Sequence, residues 1–314
     1  MGNQGYVDPL INEIAQNVQL ILFILAYAFN ILLIFIILRC SAHCIGKYRV
    51  LLTFFALSDL YYNTLHFLVY PIPEMYGNAF FMRGHGYYQE RLGVALYLGA
   101  YGHAFPILIF HFLYRLLVIY FHHIISYFPS LLLAFLKFSL SLSLSSFSIF
   151  YWFFQPDSES LLILAPLFDG STPVDVVHSN DTAHKHAQAL YWASATFEGP
   201  RWWSLTGAGL MCLAMVSAYV AIVSCCFLVN KYLKSQTKRA FSMRLHKQLF
   251  RSLIYQAFVP LFTAYYPAMT SVMLPVFGIT IPYISVAVPP ACATHPLVDP
   301  LLLIFTITEY RLVF

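Results

Sequence analysis

Seven stretches of this chain are predominantly apolar, and shorter polar segments separate them. They cover residues 16–38, 50–72, 92–120, 129–154, 202–229, 249–277 and 280–308. Each is long enough to cross a bilayer as a helix, which takes ~20 residues. The pattern predicts an all-α membrane protein, a single seven-transmembrane bundle over residues 1–314. The polar residues inside these runs are few and specific. The first carries Asn30, the second Asp59 and His66, the third His103 and His111 with Arg115 near its end, and the fourth Lys137. The sixth contains Pro260, Pro267 and Pro275. The seventh contains Asp299 among Pro282, Pro289, Pro290, Pro296 and Pro300. A proline-broken helix with a carboxylate survives only where neighbouring helices satisfy its freed backbone groups, so the seventh run belongs inside the bundle.

Composition agrees: 60% of the 314 residues are hydrophobic, 10% are charged and mean hydropathy is +0.70. Soluble domains carry about 25% charged residues. The net charge of +4 does not signify nucleic-acid binding, because the basic residues gather at one membrane face. Arg39, Lys47, Arg49, Arg115, Lys231, Lys234, Lys238, Arg239, Arg244, Lys247, Arg251 and Arg311 fall on one side. Arg83, Arg91, Lys185 and Arg201 fall on the other. The positive-inside rule then places the N-terminus outside and the C-terminus inside. Residues 155–201 become a long, acidic extracellular loop, in which Asn180 heads a glycosylation sequon. Residues 230–248 become a basic cytoplasmic loop suited to an anionic inner leaflet or a cytosolic protein. Lys137 is expected to snorkel to the inner headgroups.

Counted from the inner helix ends, Asn30 lies roughly 12 Å up, Asp59 roughly 15 Å and Asp299 roughly 13 Å. Three polar side chains on three helices at one depth predict a shared hydrogen-bond layer, either a switch or a static clamp. Two neighbouring carboxylates there need a proton or a cation between them. In the outer half, Tyr97, Tyr101, His103, Tyr265, Tyr266, Tyr283 and His295 are candidates for lining a small-molecule pocket. Pro260, Pro267, Pro289, Pro290, Pro296 and Pro300 are candidate hinges. Arg115, beside Tyr114, suits a headgroup anchor or a cytosolic contact equally. Loop histidines His178, His184 and His186 lack metal-site spacing. No phosphate-cradling glycine loop, helical metal-ligand pair or nucleophile elbow occurs, so neither an enzyme nor a cofactor or metal is expected.

Several local motifs together resemble the nematode serpentine chemoreceptors of the Str type and their srj relatives. They are Gly46-Lys47-Tyr48-Arg49, Met75-Tyr76-Gly77-Asn78-Ala79-Phe80, Phe112-Leu113-Tyr114-Arg115, Gln248-Leu249-Phe250-Arg251, and His295-Pro296-Leu297-Val298-Asp299-Pro300 followed by Tyr310-Arg311. A tyrosine commonly stands in that family where this chain has His295. The resemblance implies a G-protein-coupled receptor for a small, odorant-like ligand, in the plasma membrane of a sensory cilium. It also implies a G-protein face formed by Tyr114, Arg115, Lys238, Arg239, Arg244, Lys247 and Arg251. Asp59 and Asp299-Pro300 resemble the second- and seventh-helix motifs of rhodopsin-like receptors, without the tyrosine that follows the latter. The outer cysteine pair of those receptors is also missing.

Two alternatives belong beside this reading. One is an ion-coupled transporter or ligand-gated channel that uses Asp59 and Asp299. The other is a non-signalling remnant, because the sequence stops three residues after Arg311 where relatives continue into a tail.

Overall fold

The computed structural model describes residues 9–44, 48–76, 79–120, 127–156, 190–193, 195–196, 199–235, 240–281 and 283–311. Among the described residues seven long helices form the bundle: α1 (Pro9–Cys44), α2 (Tyr48–Val69), α3 (Arg91–Tyr120), α4 (Phe128–Phe153), α5 (Trp202–Ser235), α6 (beginning as Ala240–Pro260) and α7 (Ile284–Thr306). All but α2 are apolar enough to span a membrane on their own composition. The 22 residues of α2 reach about 33 Å, also enough to span. Its lower hydropathy comes from Asp59, Asn63 and His66, and all three are buried against other helices. The outward faces of α4 and α5 are the apolar ones, with Leu140, Leu144, Leu213, Val220 and Phe227 exposed. That inverted pattern suits lipid as the solvent.

α6 and α7 carry the irregularities that their prolines predict. Pro260 and Pro267 lack the N–H that would bond the carbonyls four residues back. Between them the chain forms a π-helical turn, Leu261–Tyr265, before α-helix resumes over Tyr266–Met273 and closes as a 3-10 turn, Leu274–Phe277. Proline and a π-bulge are the usual sources of a helix bend, and α6 has both at one place. α7 accommodates Pro289, Pro290, Pro296 and Pro300 inside one helix, and a short terminal turn, Thr308–Arg311, follows it.

Residues 73–91, which read as a mixed loop, instead contribute to a β-hairpin over one end of the bundle. β1 (Pro71–Tyr76) pairs antiparallel with β2 (Ala79–Gly84), and β2 pairs with β3 (Leu190–Ala193). Pro71 and Pro73 are tolerated because, among the described residues, β1 is an edge strand, where proline forfeits no ladder bond. The hairpin is joined directly to α2. Tyr70 turns out of the helix at φ 46°, and its N–H reaches the His66 carbonyl at 2.8 Å. His85 and Gly86 then donate to the Val69 carbonyl, both at 3.0 Å. A Cβ on Gly86 would sit 2.3 Å from the Leu68 carbonyl oxygen, so this close approach requires glycine. Trp192 of β3 is fully buried and donates from Nε1 to the Ser204 carbonyl at 3.0 Å, which fixes the sheet to α5.

The basic segment 230–248 is also more helical than a loop reading allows. α5 continues through Lys231 and Lys234 to Ser235, and α6 already begins at Ala240. Lysine and arginine are good helix formers, so charge alone does not end a helix. Lys238, Arg239 and Asn180 lie outside the described residues, as does the side chain of Arg244.

Candidate functional site

The centre of the bundle is organised by what α7 lacks. Pro300 cannot donate to the Pro296 carbonyl, and Pro296 cannot donate to that of Cys292. In a membrane interior an orphan carbonyl needs another donor. Asn30 supplies one: its Nδ2 donates to the Pro296 carbonyl at 2.7 Å and also to the Ala26 carbonyl at 2.9 Å. Tyr62 on α2 supplies the other, its hydroxyl lying 3.5 Å from the Cys292 carbonyl. Two helices are thus bonded to α7 where its own ladder is broken.

One to two turns beyond Cys292, the carboxylates of Asp59 and Asp299 and the ring of His295 offer ligand atoms within 4.8 Å of one another, and all three residues are buried. His295 Nε2 lies 3.5 Å from Asp299 Oδ2. Two adjacent buried carboxylates are not stable as a pair of bare charges; a shared proton or a cation must sit between them. Two oxygens and one nitrogen suit either role. His295 was expected in the ligand pocket, yet it belongs with the carboxylates. The signal was present, since positions 295 and 299 are one helical turn apart.

Toward the hairpin, the layer is covered by tyrosines. Tyr62 OH and Tyr97 OH are 3.1 Å apart, and Tyr97 OH is 3.3 Å from His66 Nδ1. Tyr101 meets Tyr265 edge-on, with centroids 5.0 Å apart, and Tyr265 in turn lies 6.1 Å from the His295 ring. Tyr97, Tyr101 and Tyr265 line a cavity of about 370 Å³ bounded by α3–α7 and roofed by Pro73, Phe80 and Met82 of the hairpin. Its remaining walls are mainly apolar, including Phe105, Met211, Ala218, Ala268 and Cys292. The volume falls in the range of small-molecule pockets.

Besides His295, three more expected pocket residues are elsewhere. Tyr266 is 66% exposed, because its neighbour Tyr265 takes the inward position and successive helical residues diverge by about 100°. Tyr283 is 57% exposed at the N-terminal edge of α7, before the helix turns into the bundle. His103 points sideways, hydrogen-bonding Ser139 of α4 and lying 3.3 Å from Ser58 of α2.

At the opposite end, Arg115 is only 3% exposed. Its guanidinium stacks 3.8 Å over the Tyr48 ring, on which Tyr114 also stacks, and Tyr48 OH lies 2.9 Å from His111 Nδ1. An arginine on an open cytosolic face was expected; the tyrosine from the start of α2 seals it instead. Tyr114 is likewise buried, whereas Lys247 and Arg251 are exposed, the latter donating from Nε to Tyr255 OH at 2.7 Å. Gln248 stands in the Gln248-Leu249-Phe250-Arg251 motif, but the sequence assigned no contact to this residue. Its Nε2 donates to Thr308 Oγ1 at 2.6 Å, and the Thr308 N–H approaches Gln248 Oε1 at 3.4 Å, tying α6 to the turn after α7.

Comparison with known proteins gives one consistent result. A family model described as serpentine type 7TM GPCR chemoreceptor Str matches residues 15–314. The chain is 23% identical over 311 residues to serpentine receptor class r-10 of Caenorhabditis briggsae, covering 95% of this chain and 88% of that one. Its Caenorhabditis elegans counterpart is 23% identical over 301 residues, covering 91% and 86%. Serpentine receptor class J-38 of C. elegans is 24% identical over 307 residues, covering 91% and 88%.

Proposed function

Because the chain belongs to the Str family of serpentine seven-transmembrane chemoreceptors, and is thus a G-protein-coupled chemosensory receptor, we propose that a small, largely apolar molecule binds the tyrosine-lined cavity and acts through α6 and α7. The observation that carries this reading is the position of Tyr265. It lies on the π-helical turn of α6, forms part of the cavity wall, and sets its ring edge against His295. A ligand that displaces Tyr265 therefore acts at once on the π-helical turn of α6 and on the Asp59–His295–Asp299 cluster. A ligand shifts such an equilibrium only by its differential affinity for the two states. The state it favours has the Gln248–Thr308 tie broken and the end of α6 displaced, and Arg115, released from the Tyr48 ring, meets a heterotrimeric G protein.

The hairpin end faces outward in this reading and the Arg115 end faces the cytosol, as the lysine and arginine distribution supports. The receptor then sits in the plasma membrane of a sensory cilium, with Asn180 glycosylated. Lys231, Lys234, Lys247 and Arg251 meet the anionic inner leaflet or the G protein.

The test is a panel of volatile and other small apolar compounds on the expressed receptor, read by second messenger. Ala268→Phe, whose added ring enters the cavity, is expected to abolish the response while surface expression persists. Arg115→Ala is expected to do the same without loss of ligand binding. A full response from Ala268→Phe would remove this cavity from the mechanism.

A further inference from the structure

A second cavity lies on the other side of the hairpin, between α1, α2 and α7. Its volume is about 680 Å³. The two cavities share one roof because strand side chains alternate faces. Pro71, Pro73, Phe80 and Met82 turn to the tyrosine-lined cavity, whereas Ile72, Glu74 and Phe81 turn to this one.

The chemistry of its wall is different. Gln19 lines it, is 6% exposed, and has neither amide nitrogen nor amide oxygen hydrogen-bonded to protein. His66 also lines it and is 3% exposed. Its Nδ1 is engaged by Tyr97, while Nε2 has no protein partner. Ser285 and Val286 contribute to the wall, and their carbonyls lose their intrahelical donors to Pro289 and Pro290. Unpaired donors and acceptors in a buried, apolar setting are costly, and a cavity that collects them is complementary to a hydrogen-bonding ligand. Asn63, by contrast, is already satisfied, with Nδ2 donating to the Phe23 carbonyl at 3.1 Å.

Charge narrows the ligand class. No lysine or arginine lines the cavity among the described residues, and Glu74 at its edge is bridged to Arg83 at 3.2 Å. An anion would find no counter-ion there. Phe23 and Phe67 stack with centroids 4.2 Å apart, and Tyr87 lies 6.2 Å beyond Phe67, so the walls offer aromatic surface beside the polar groups.

We propose that this cavity is a second binding site, selective for a neutral ligand whose planar apolar body carries a paired donor and acceptor, such as a carboxamide. The amide of Gln19, buried at the cavity wall without a protein partner, turns to meet the ligand amide head to head, and the ligand's second N–H reaches a proline-freed carbonyl. The site stands independently of the ligand reading for the tyrosine-lined cavity.

The experiment uses the full chain in lipid nanodiscs and 4-fluorobenzamide as the probe, followed by fluorine NMR line broadening. Specific broadening is expected from the wild-type receptor and at least a tenfold weaker affinity from Gln19→Leu. Ala268→Phe, which fills the other cavity, is expected to bind the probe unchanged. The charged analogue 4-fluorobenzoate is expected to give no broadening. A thermal midpoint of Gln19→Leu at or above wild type confirms that the variant is folded. Absence of broadening with wild type, equal broadening with Gln19→Leu, or loss of broadening with Ala268→Phe alone would each overturn the proposal.

Discussion

Asn30→Ala offers a quantitative test of how the broken seventh helix is held. The substitution removes two hydrogen bonds from Asn30 Nδ2. The one to the Ala26 carbonyl is dispensable, since the Asn30 backbone N–H already serves that carbonyl within α1. The one to the Pro296 carbonyl replaces a donor that Pro300 cannot supply. Leaving a buried carbonyl unpaired costs about 1–3 kcal/mol, and hydrogen bonds measured inside membrane bundles average only ~0.6 with a maximum near 1.7 kcal/mol. A loss of about 1–1.5 kcal/mol is therefore expected. Pro300→Ala restores an N–H at position 300 that can reach the Pro296 carbonyl within the helix. In that background Asn30→Ala should cost only a few tenths of a kcal/mol, a coupling of about 1 kcal/mol, or roughly fivefold in the unfolding constant. The assay is reversible unfolding in lipid–detergent micelles with rising dodecyl sulfate, followed by tryptophan fluorescence, for wild type, both single variants and the double variant. If Asn30→Ala costs the same in both backgrounds, within about 0.3 kcal/mol, Asn30 does not act by replacing the missing proline donor.

Other outcomes follow from the same geometry. Gln248→Ala removes the tie between α6 and Thr308, worth about 0.5–1.5 kcal/mol, so ligand-free second-messenger output should rise roughly two- to tenfold. Unchanged basal output would mean that the tie does not hold the resting state. Gln19→Leu replaces a buried amide that has no protein partner with an apolar side chain, and should raise unfolding stability by about 1 kcal/mol, read as a higher thermal midpoint. Tyr48→Ala strips the ring that covers Arg115 and should destabilise the protein by about 3–5 kcal/mol, with a correspondingly lower midpoint in the same scan.

What the sequence conveyed well was the buried polarity. A carboxylate among prolines can only be interior, so α7 and Asp299 were placed by chemistry alone. Asn30, Asp59 and Asp299 are all buried, but Asn30 bonds the backbone carbonyls of Ala26 and Pro296 rather than the two carboxylates, so the expected hydrogen-bond layer common to all three side chains is not what the helices form. Rotation was harder to read. Tyr265 and Tyr266 are indistinguishable as residues, and which one turns inward is decided by a π-helical turn that depends on two prolines and their packing. Arg115 looked exposed because its cover, Tyr48, comes from a different helix and lies far from it in sequence. β1 went unread because its prolines suit a strand only at a sheet edge, and edge position is a property of the sheet. Gln19 sits in an apolar run, where a single polar residue carries little signal until the cavity beside it is seen.

The central claim is that occupancy of the tyrosine-lined cavity reaches the far end of α6 through Asp59, His295 and Asp299. Its most direct test is a distance measurement by pulsed electron resonance between spin labels at Tyr120→Cys on α3 and Lys247→Cys on α6, in a receptor whose six native cysteines are replaced. With an active compound from the ligand panel, the distance should lengthen by several ångströms, and the paired substitution Asp59→Leu with Asp299→Leu should abolish that change while leaving the compound bound. The same lengthening in the paired variant would contradict the account.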